Sequence, residues 1–267
     1  METLQNAAAC PKGQAAAKAP LISVVMPAYN AEKHLAEAVG SVLSQTYKNW
    51  ELLILDDCSS DRTGEIAAAF AAADDRISLH RIPKNIGVAG TRNLGLDRAQ
   101  GDWIALLDSD DVWHSEKLER QLALAEQSGA DILYCSYALV NEQGAHLSDF
   151  IVPETTSYRE MLKESVLSCS TVLLSRAVVS AHRFSTDCYH EDYAFWLTLL
   201  KAGYRAAACR EVLVDYRVAP GSRSNNKLRS AKNRWLIYRR VERLPLPRAV
   251  CAFATYAWRG FRKHKRV

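Results

Sequence analysis

Short apolar runs alternate with amphipathic stretches through the first half of the chain. Leu21-Ile22-Ser23-Val24-Val25-Met26 is an apolar run closed by Pro27, and Glu51-Leu52-Leu53-Ile54-Leu55 closes on Asp56-Asp57. Residues 77–82 and 103–107 repeat the pattern. Runs of this length, rich in branched apolar side chains, read as buried strands. Between them, Leu35, Val39, Val42 and Leu43 recur at helical spacing inside 31–46. Asp61 is placed to cap a helix over 61–73, and a third helix fits 88–99. Strands and helices that alternate over short connections predict an α/β fold, with a mostly parallel, doubly wound sheet carrying helices on both faces. Past residue 131 the alternation loosens. Strands are predicted at 131–135 and 169–174, and a strongly apolar helix follows Glu191-Asp192 and stops at Ala202-Gly203.

In sheets of this kind ligands bind beyond the carboxyl ends of the strands. Those ends carry Pro27-Ala28-Tyr29-Asn30, Asp56-Asp57 and Asp108-Ser109-Asp110-Asp111. The last is the most informative: four apolar residues, Ile104 to Leu107, run straight into three carboxylates. Repulsion among them is relieved by protonation or by a bound cation. Mg²⁺ and Mn²⁺ prefer oxygen ligands, and Mg²⁺ commonly takes one or two carboxylates with phosphate oxygens and water. The same four residues also suit a turn or a helix cap before Ser115-Glu116-Lys117-Leu118. Both readings stand on the residues alone. Glu191-Asp192 is similarly double, as a functional pair or as acids that favour a helix dipole.

Length and composition narrow the picture. The 267 residues, 48% of them hydrophobic, supply a sizeable core. Seven cysteines without a Cys-x-x-Cys pair fit free thiols in a reducing compartment better than disulfides or zinc. No apolar run is long enough for a transmembrane helix, and the start of the chain lacks the basic and apolar segments of a signal peptide. The net charge of +4 conceals an asymmetry: residues 226–267 hold 13 lysines and arginines against the single acid Glu242. An acidic body with a basic tail is drawn to anionic surfaces. The organisation expected is a disordered Ala-rich arm at 1–20, a domain at 21–225 and a basic amphipathic helical tail at 226–267.

The motifs, taken in order, resemble the inverting family 2 glycosyltransferases with the nucleotide-sugar GT-A fold. The matching stretches are Ser23 to Asn30, Ser41 to Thr46, Asp56 to Asp61, Asn85-Ile86-Gly87 through Arg92-Asn93, Leu107 to Asp111, and Glu191-Asp192. Their joint order and spacing cover roughly residues 21–220. The resemblance implies a nucleotide-binding half at 21–111 and an acceptor half at 112–225. It implies a UDP-sugar donor, a Mn²⁺ or Mg²⁺ cofactor, and a glycan or lipid-linked acceptor as for bacterial surface polysaccharides.

Residue by residue, Pro27, Ala28, Tyr29 and Asn30 look like the turn that wraps base and ribose. Asp57 looks like the acceptor for the uracil N–H, and Arg92 like a nucleotide contact. Asp108 and Asp110 resemble the D-x-D pair, with Asp110 expected on the metal and Asp108 on ribose or metal. Ser109 and Asp111 complete that loop in the substrate-binding set, the role of Asp111 being open. Asp192 matches the general base, and Glu191 stands beside it toward the acceptor. Trp113 and Trp196 suit walls of a sugar pocket or, more often, core. His190 suits an acceptor contact or, more often, a structural role, and Cys169-Ser170-Thr171 is a candidate lining of the acceptor side.

Processive synthases of this family carry Gln or Arg three positions before an Arg-Trp pair. Here Arg234-Trp235 follows Ala231, which favours one sugar per encounter. Aromatics and cations interleave along the tail, and 249–258 is too short to span a bilayer but suits its surface. The expected location is cytoplasmic, with peripheral attachment to the inner face of the cell membrane. A basic helix packed on the catalytic domain is the other reading of the tail. No nucleic-acid motif accompanies the charge, so nucleic acid is not an expected partner. A non-catalytic nucleotide-sugar-binding membrane adaptor is the alternative function.

Overall fold

The computed structural model describes residues 19–188, 190–218 and 227–264. All but the last two positions of the expected Ala-rich arm therefore lie outside the described residues. In chain order the first half contains β1 (Ile22–Ala28), α1 (Leu35–Leu43), β2 (Trp50–Asp56), α2 (Thr63–Ala73), β3 (Ile77–Arg81), α3 (Gly87–Arg98) and β4 (Trp103–Leu106). There follow β5 (Val112–Trp113), α4 (Lys117–Ser128), β6 (Ile132–Val140), β7 (His146–Phe150), β8 (Thr155–Thr156) and α5 (Tyr158–Lys163). A 3₁₀ turn at Cys169–Thr171 leads into β9 (Leu173–Ser175), α6 (Arg176–Ala181), α7 (Glu191–Lys201) and β10 (Ala206–Arg217). The tail holds α8 (Lys227–Leu236), a π-helical turn at Ile237–Val241, and α9 (Leu246–His264).

One sheet runs through the molecule in the order β3-β2-β1-β4-β9-β6-β10-β5. β3, β2, β1 and β4 are parallel, as are β6 and β10. Short β9 joins the two groups antiparallel to both neighbours, and β5, β7 and β8 are also antiparallel. The sheet is thus mostly parallel, and its departures fall where the sequence alternation loosens.

Period-two alternation along β1 sends Val24 and Met26 into one core and Val25 into the other. Both faces are covered, which is why the first strands read as continuous apolar runs. The packing is tight at Gly95, where a Cβ would collide with Val25 and which lets α3 lie close on β1. That approach carries Arg92 of α3 toward the strand ends.

Two local expectations are corrected. β1 does not stop at Pro27 but continues to Ala28. β4 has ended by then, with Leu106 opposite Val25, and Leu107 N–H already reaches the Val25 carbonyl. The side of β1 on which Pro27 lacks a donor therefore has no strand to satisfy. The strand expected at 169–174 is the second: Cys169–Thr171 is a 3₁₀ turn, and the strand is only Leu173–Ser175. The twelve-residue β10 carried no expectation at all, and its register against β6 shifts between Cys209 and Val212 and again before Asp215. These irregularities break the alternation that would have announced a strand.

The tail packs on this body through one face. Ile237, Tyr238 and Ala249 are fully buried, and the Tyr238 hydroxyl donates to the Leu162 carbonyl. Glu242, itself buried, accepts from the Tyr158 hydroxyl at 2.7 Å and pairs with Lys201 at 3.0 Å. Arg259 pairs with Glu164 of the body at 3.0 Å. Among the described residues no helix is long and apolar enough to cross a membrane, and all six described cysteines are free thiols.

Candidate active site

Backbone groups knit the ends of β1 and β2 together. Asn30, at φ 48°, donates its N–H to the Ser59 hydroxyl at 3.0 Å, and its side-chain oxygen accepts the Ser60 N–H at 2.9 Å. Asparagine tolerates this left-handed conformation better than most residues. Asp57 is buried, and its two oxygens accept the N–H groups of Ile86 at 2.8 Å and Gly87 at 2.9 Å. It thereby closes the first turn of α3, and each oxygen keeps a further lone pair. Gly87 takes φ 77°, where a side chain would be strained. Of the Pro27–Asn30 turn only Tyr29 and Asn30 face solvent; Pro27 and Ala28 are buried.

The acidic loop after β4 is split by direction. Asp110 is exposed and Asp108 half-buried, while Asp111 is only 1% exposed. Asp111 accepts the Ser170 hydroxyl at 2.5 Å and the Arg217 backbone N–H at 2.9 Å. Burial, with Asp110 and Asp108 nearby, pushes its carboxyl well above the usual carboxylate range. Asp111, expected in the substrate-binding set, is thus turned inward and rivets the loop to the end of β10. Arg217 completes the rivet, its guanidinium donating to the carbonyls of Asp110 and Glu142 at 2.9 Å each and to Glu37 at 2.7 Å. The turn reading holds for Asp111, whereas Asp110 and Asp108 stay at least partly open to solvent.

Partial burial and the charge of Asp108 raise the Asp110 carboxyl to about 6, despite the residue's exposure. A divalent cation would relieve that repulsion. Among the described residues no cluster of three or more side-chain ligands surrounds the pair. An ion here would therefore rest on two carboxylates and draw its other ligands from phosphate and water, the manner Mg²⁺ favours. The donor set fits.

Arg92 joins this loop to α7. Its guanidinium is buried, pairing with Asp108 at 2.6 Å and with Glu191 at 3.1 Å. Expected as a nucleotide contact, Arg92 is engaged by carboxylates on both sides, with only its Nε lacking a partner. Glu191 is buried at the start of α7, and half-buried Asp192 follows, its Oδ1 accepting the Tyr193 N–H at 2.7 Å. The Cys169 thiol lies among Asp108, Asp192 and Glu191; burial and those charges push it up, so it stays neutral.

Ser170, a candidate lining of the acceptor side, instead presents its hydroxyl to Asp111 and also accepts the Asp108 N–H at 3.1 Å. Sequence reading missed two residues here, Arg217 and Tyr216, the phenol of Tyr216 being raised well above its ordinary value by burial and by Asp111, Asp108, Asp110 and Asp192 together. No local signal marks Arg217 or Tyr216, since both enter the site from the end of β10. Trp113 and Trp196 are core residues at 2% and 0% exposure, Trp113 donating its indole N–H to the Ser170 carbonyl at 2.8 Å. His190 is half-buried just before α7.

Comparison with known proteins agrees with this geometry. The model for Glycosyl transferase family 2 matches residues 23–180, and that for Glycosyl transferase family group 2 matches residues 103–259. A Bacillus subtilis protein named as a teichuronic acid biosynthesis glycosyltransferase, TuaG, is 38% identical over 91% of this chain and 97% of its own. The Escherichia coli enzyme named UDP-Glc:alpha-D-GlcNAc-diphosphoundecaprenol beta-1,3-glucosyltransferase, WfgD, is 36% identical over 91% of this chain and 95% of its own. Among solved structures, S. aureus TarS 1–349 in complex with UDP-GlcNAc superposes with a TM-score of 0.71 at 21% identity, covering 88% of this chain and 71% of that one. The shared fold is GT-A.

Proposed function

The chain belongs to glycosyl transferase family 2, and from that premise we propose that it moves a sugar from a UDP-sugar to a hydroxyl of a lipid-linked or surface-polysaccharide acceptor, one sugar per encounter. The observation that carries this reading is the Arg92 bridge, 2.6 Å to Asp108 and 3.1 Å to Glu191. One guanidinium ties the loop that would serve the leaving group to the helix that bears the base. The names of the relatives support the acceptor class, since one of them acts on a diphosphoundecaprenol-linked sugar.

Tyr29 and Asn30 border the base and ribose, and Asp57 offers its remaining lone pairs to the uracil N–H. Asp108 and Asp110 are the residues that would hold Mn²⁺ or Mg²⁺. Such an ion, when bound, neutralises charge that builds on the departing UDP. Asp192 takes the proton of the acceptor hydroxyl. The hydroxyl oxygen bonds to the anomeric carbon as the bond from that carbon to the UDP oxygen breaks, on the opposite face. A single displacement inverts the centre. Tyr216, kept neutral, cannot compete for that proton. A lipid-linked acceptor places the enzyme peripherally on the cytoplasmic face of the membrane.

The test is turnover of the full chain with UDP-glucose, UDP-GlcNAc and UDP-galactose, Mn²⁺ and a short prenyl-diphosphate-GlcNAc acceptor. One donor is expected to give product of opposite anomeric configuration by NMR. Retention of configuration, or no transfer from any UDP-sugar, overturns the reading.

A further inference from the structure

Helix α9 has two apolar faces, one packed on the protein and one exposed. At about 100° per residue, Ala249, Ala252, Phe253 and Tyr256 fall on one side, and these pack inward with Ala249 fully buried. Leu246, Val250, Ala254, Ala257 and Trp258 fall within an arc of about 120° on the other. Leu246, Val250 and Trp258 are 55%, 51% and 56% exposed. An apolar stripe of that width normally faces a core. Here it faces outward and continues into an open groove of about 520 Å³ between α8 and α9, lined by Ala231, Lys232, Trp235, Val250, Phe253 and Ala254.

Charge selects the occupant. Arg229, Lys232, Arg239, Arg240, Arg243 and Arg248 all belong to this α8–α9 unit, within a segment of 13 cations and one acid, Glu242. Lys232, Arg239, Arg240, Arg243 and Arg248 are exposed. An apolar stripe and groove on so cationic a unit, with Lys232 in the groove lining itself, match hydrocarbon beneath a layer of anionic headgroups. The stripe from Leu246 to Trp258 is about 18 Å long, short of the roughly 30 Å of a bilayer interior, so it lies in the surface rather than across it.

We propose that the outer face of α9 and the α8–α9 groove form a docking surface for an anionic phospholipid bilayer. The proposal rests on the glycosyltransferase reading for its purpose, which is to meet a membrane-held acceptor. The docking helix is also tied to the base helix. Arg234 of α8 is stacked between Tyr256 of α9 at 4.1 Å and Tyr193 of α7 at 4.0 Å, and Tyr193 adjoins Asp192. A bilayer under α9 therefore sits on an element that reaches the proposed base through two aromatic rings and one guanidinium.

The experiment is co-sedimentation of the full chain with vesicles of phosphatidylcholine alone or with roughly one-third phosphatidylglycerol, at about 0.1 M salt. Binding is expected to the anionic vesicles. Leu246→Glu with Val250→Glu is expected to weaken it at least about tenfold, and Arg248→Gln about fivefold. Lipids brominated near the headgroup should quench fluorescence in the native chain, and Trp258→Phe should remove most of that quenching. Donor hydrolysis and thermal unfolding of the double variant should match the native chain, since both positions are exposed. Vesicle binding unaffected by the double variant, or absent altogether, overturns the proposal; so does a dimer that the double variant dissolves. A chain that transfers sugar but ignores vesicles defeats the docking surface alone, and one that binds vesicles without transferring sugar defeats the glycosyltransferase reading alone.

Discussion

The donor-side loops and the base-side elements reach the same crevice by different means. On the donor side Asn30 meets Ser59 and Ser60, and Asp57 meets Ile86 and Gly87, each across neighbouring strand ends and through backbone N–H groups. On the base side Glu191 pairs with the side chain of Arg92, and Tyr193 stacks on that of Arg234. Backbone donors come with the fold and survive most substitutions. Ion pairs and stacked guanidiniums between distant segments do not, because removing one partner leaves the other buried and uncompensated. Mutational sensitivity should therefore concentrate on the base side.

Three experiments bear on that contrast. Asp192→Asn should have the largest effect, lowering the transfer rate about 10³-fold, within the usual span for a general base. Donor affinity and unfolding temperature should hold, since the recorded bond of Asp192 is to the N–H of its own neighbour. Initial rates and calorimetric UDP-sugar titration check this; a loss under tenfold removes Asp192 as the base.

Arg92→Met comes next. It strands Asp108 and buried Glu191 without their shared cation and should cost about 3–5 kcal/mol of stability by urea unfolding. Arg92→Lys should recover only part of this, because an ammonium cannot present two separated donors to two carboxylates. A loss below about 1 kcal/mol would mean that the two sides are built alike.

The smallest effect concerns Asp110. Its folded carboxyl titrates near 6, above its ordinary 3.8, so the folded protein holds that proton more tightly than the unfolded chain. The resulting stability is present at low pH and lost as pH rises through about 6. Asp110→Asn should accordingly unfold at a higher temperature than the native chain at pH 7, with the gap closing toward pH 5. Mn²⁺ should raise the unfolding temperature of the native chain at pH 7 and not that of the variant. Equal responses to pH and to Mn²⁺ would remove Asp110 from the proposed ion site.

Much of the donor side was legible in the chain. The first four strands lie within two residues of their predicted runs, because β1, β2 and β4 are covered on both faces and so are largely apolar, while edge strand β3 alternates Ile77 and Leu79 with polar residues. The helix after Glu191-Asp192 also appears where its apolar pattern ends, at Lys201. Asp61, expected as the cap of a helix over 61–73, stands two residues ahead of α2 with Arg62 at the cap position, yet its carboxylate accepts the N–H of Thr63, the first helical residue, at 2.9 Å. β10 was hidden because its bulges interrupt the alternation, and the end of β1 because a proline looks like a stop until its neighbour strand is seen to be absent. Tyr216 and Arg217 were hidden for a different reason: nothing in their own neighbourhood distinguishes them from any strand end.

The tail divides in the same way. Its charge and amphipathic character are properties of composition. That α9 buries one apolar face and shows another depends on α5, α8 and the π-helical turn supplying a surface for only half of it.

What the amino-acid order determined alone is which residues stand at the strand ends and that too many of them are acids. It could not say which acid looks which way. Asp108, Asp110 and Asp111 are nearly equivalent as letters, and the tertiary structure separates them. Arg92 arrives on α3 to pair the first, solvent keeps the second, and Ser170 with the β10 backbone takes the third into the interior. A carboxylate's role follows from the donors around it, and here those donors come from segments far away in the chain.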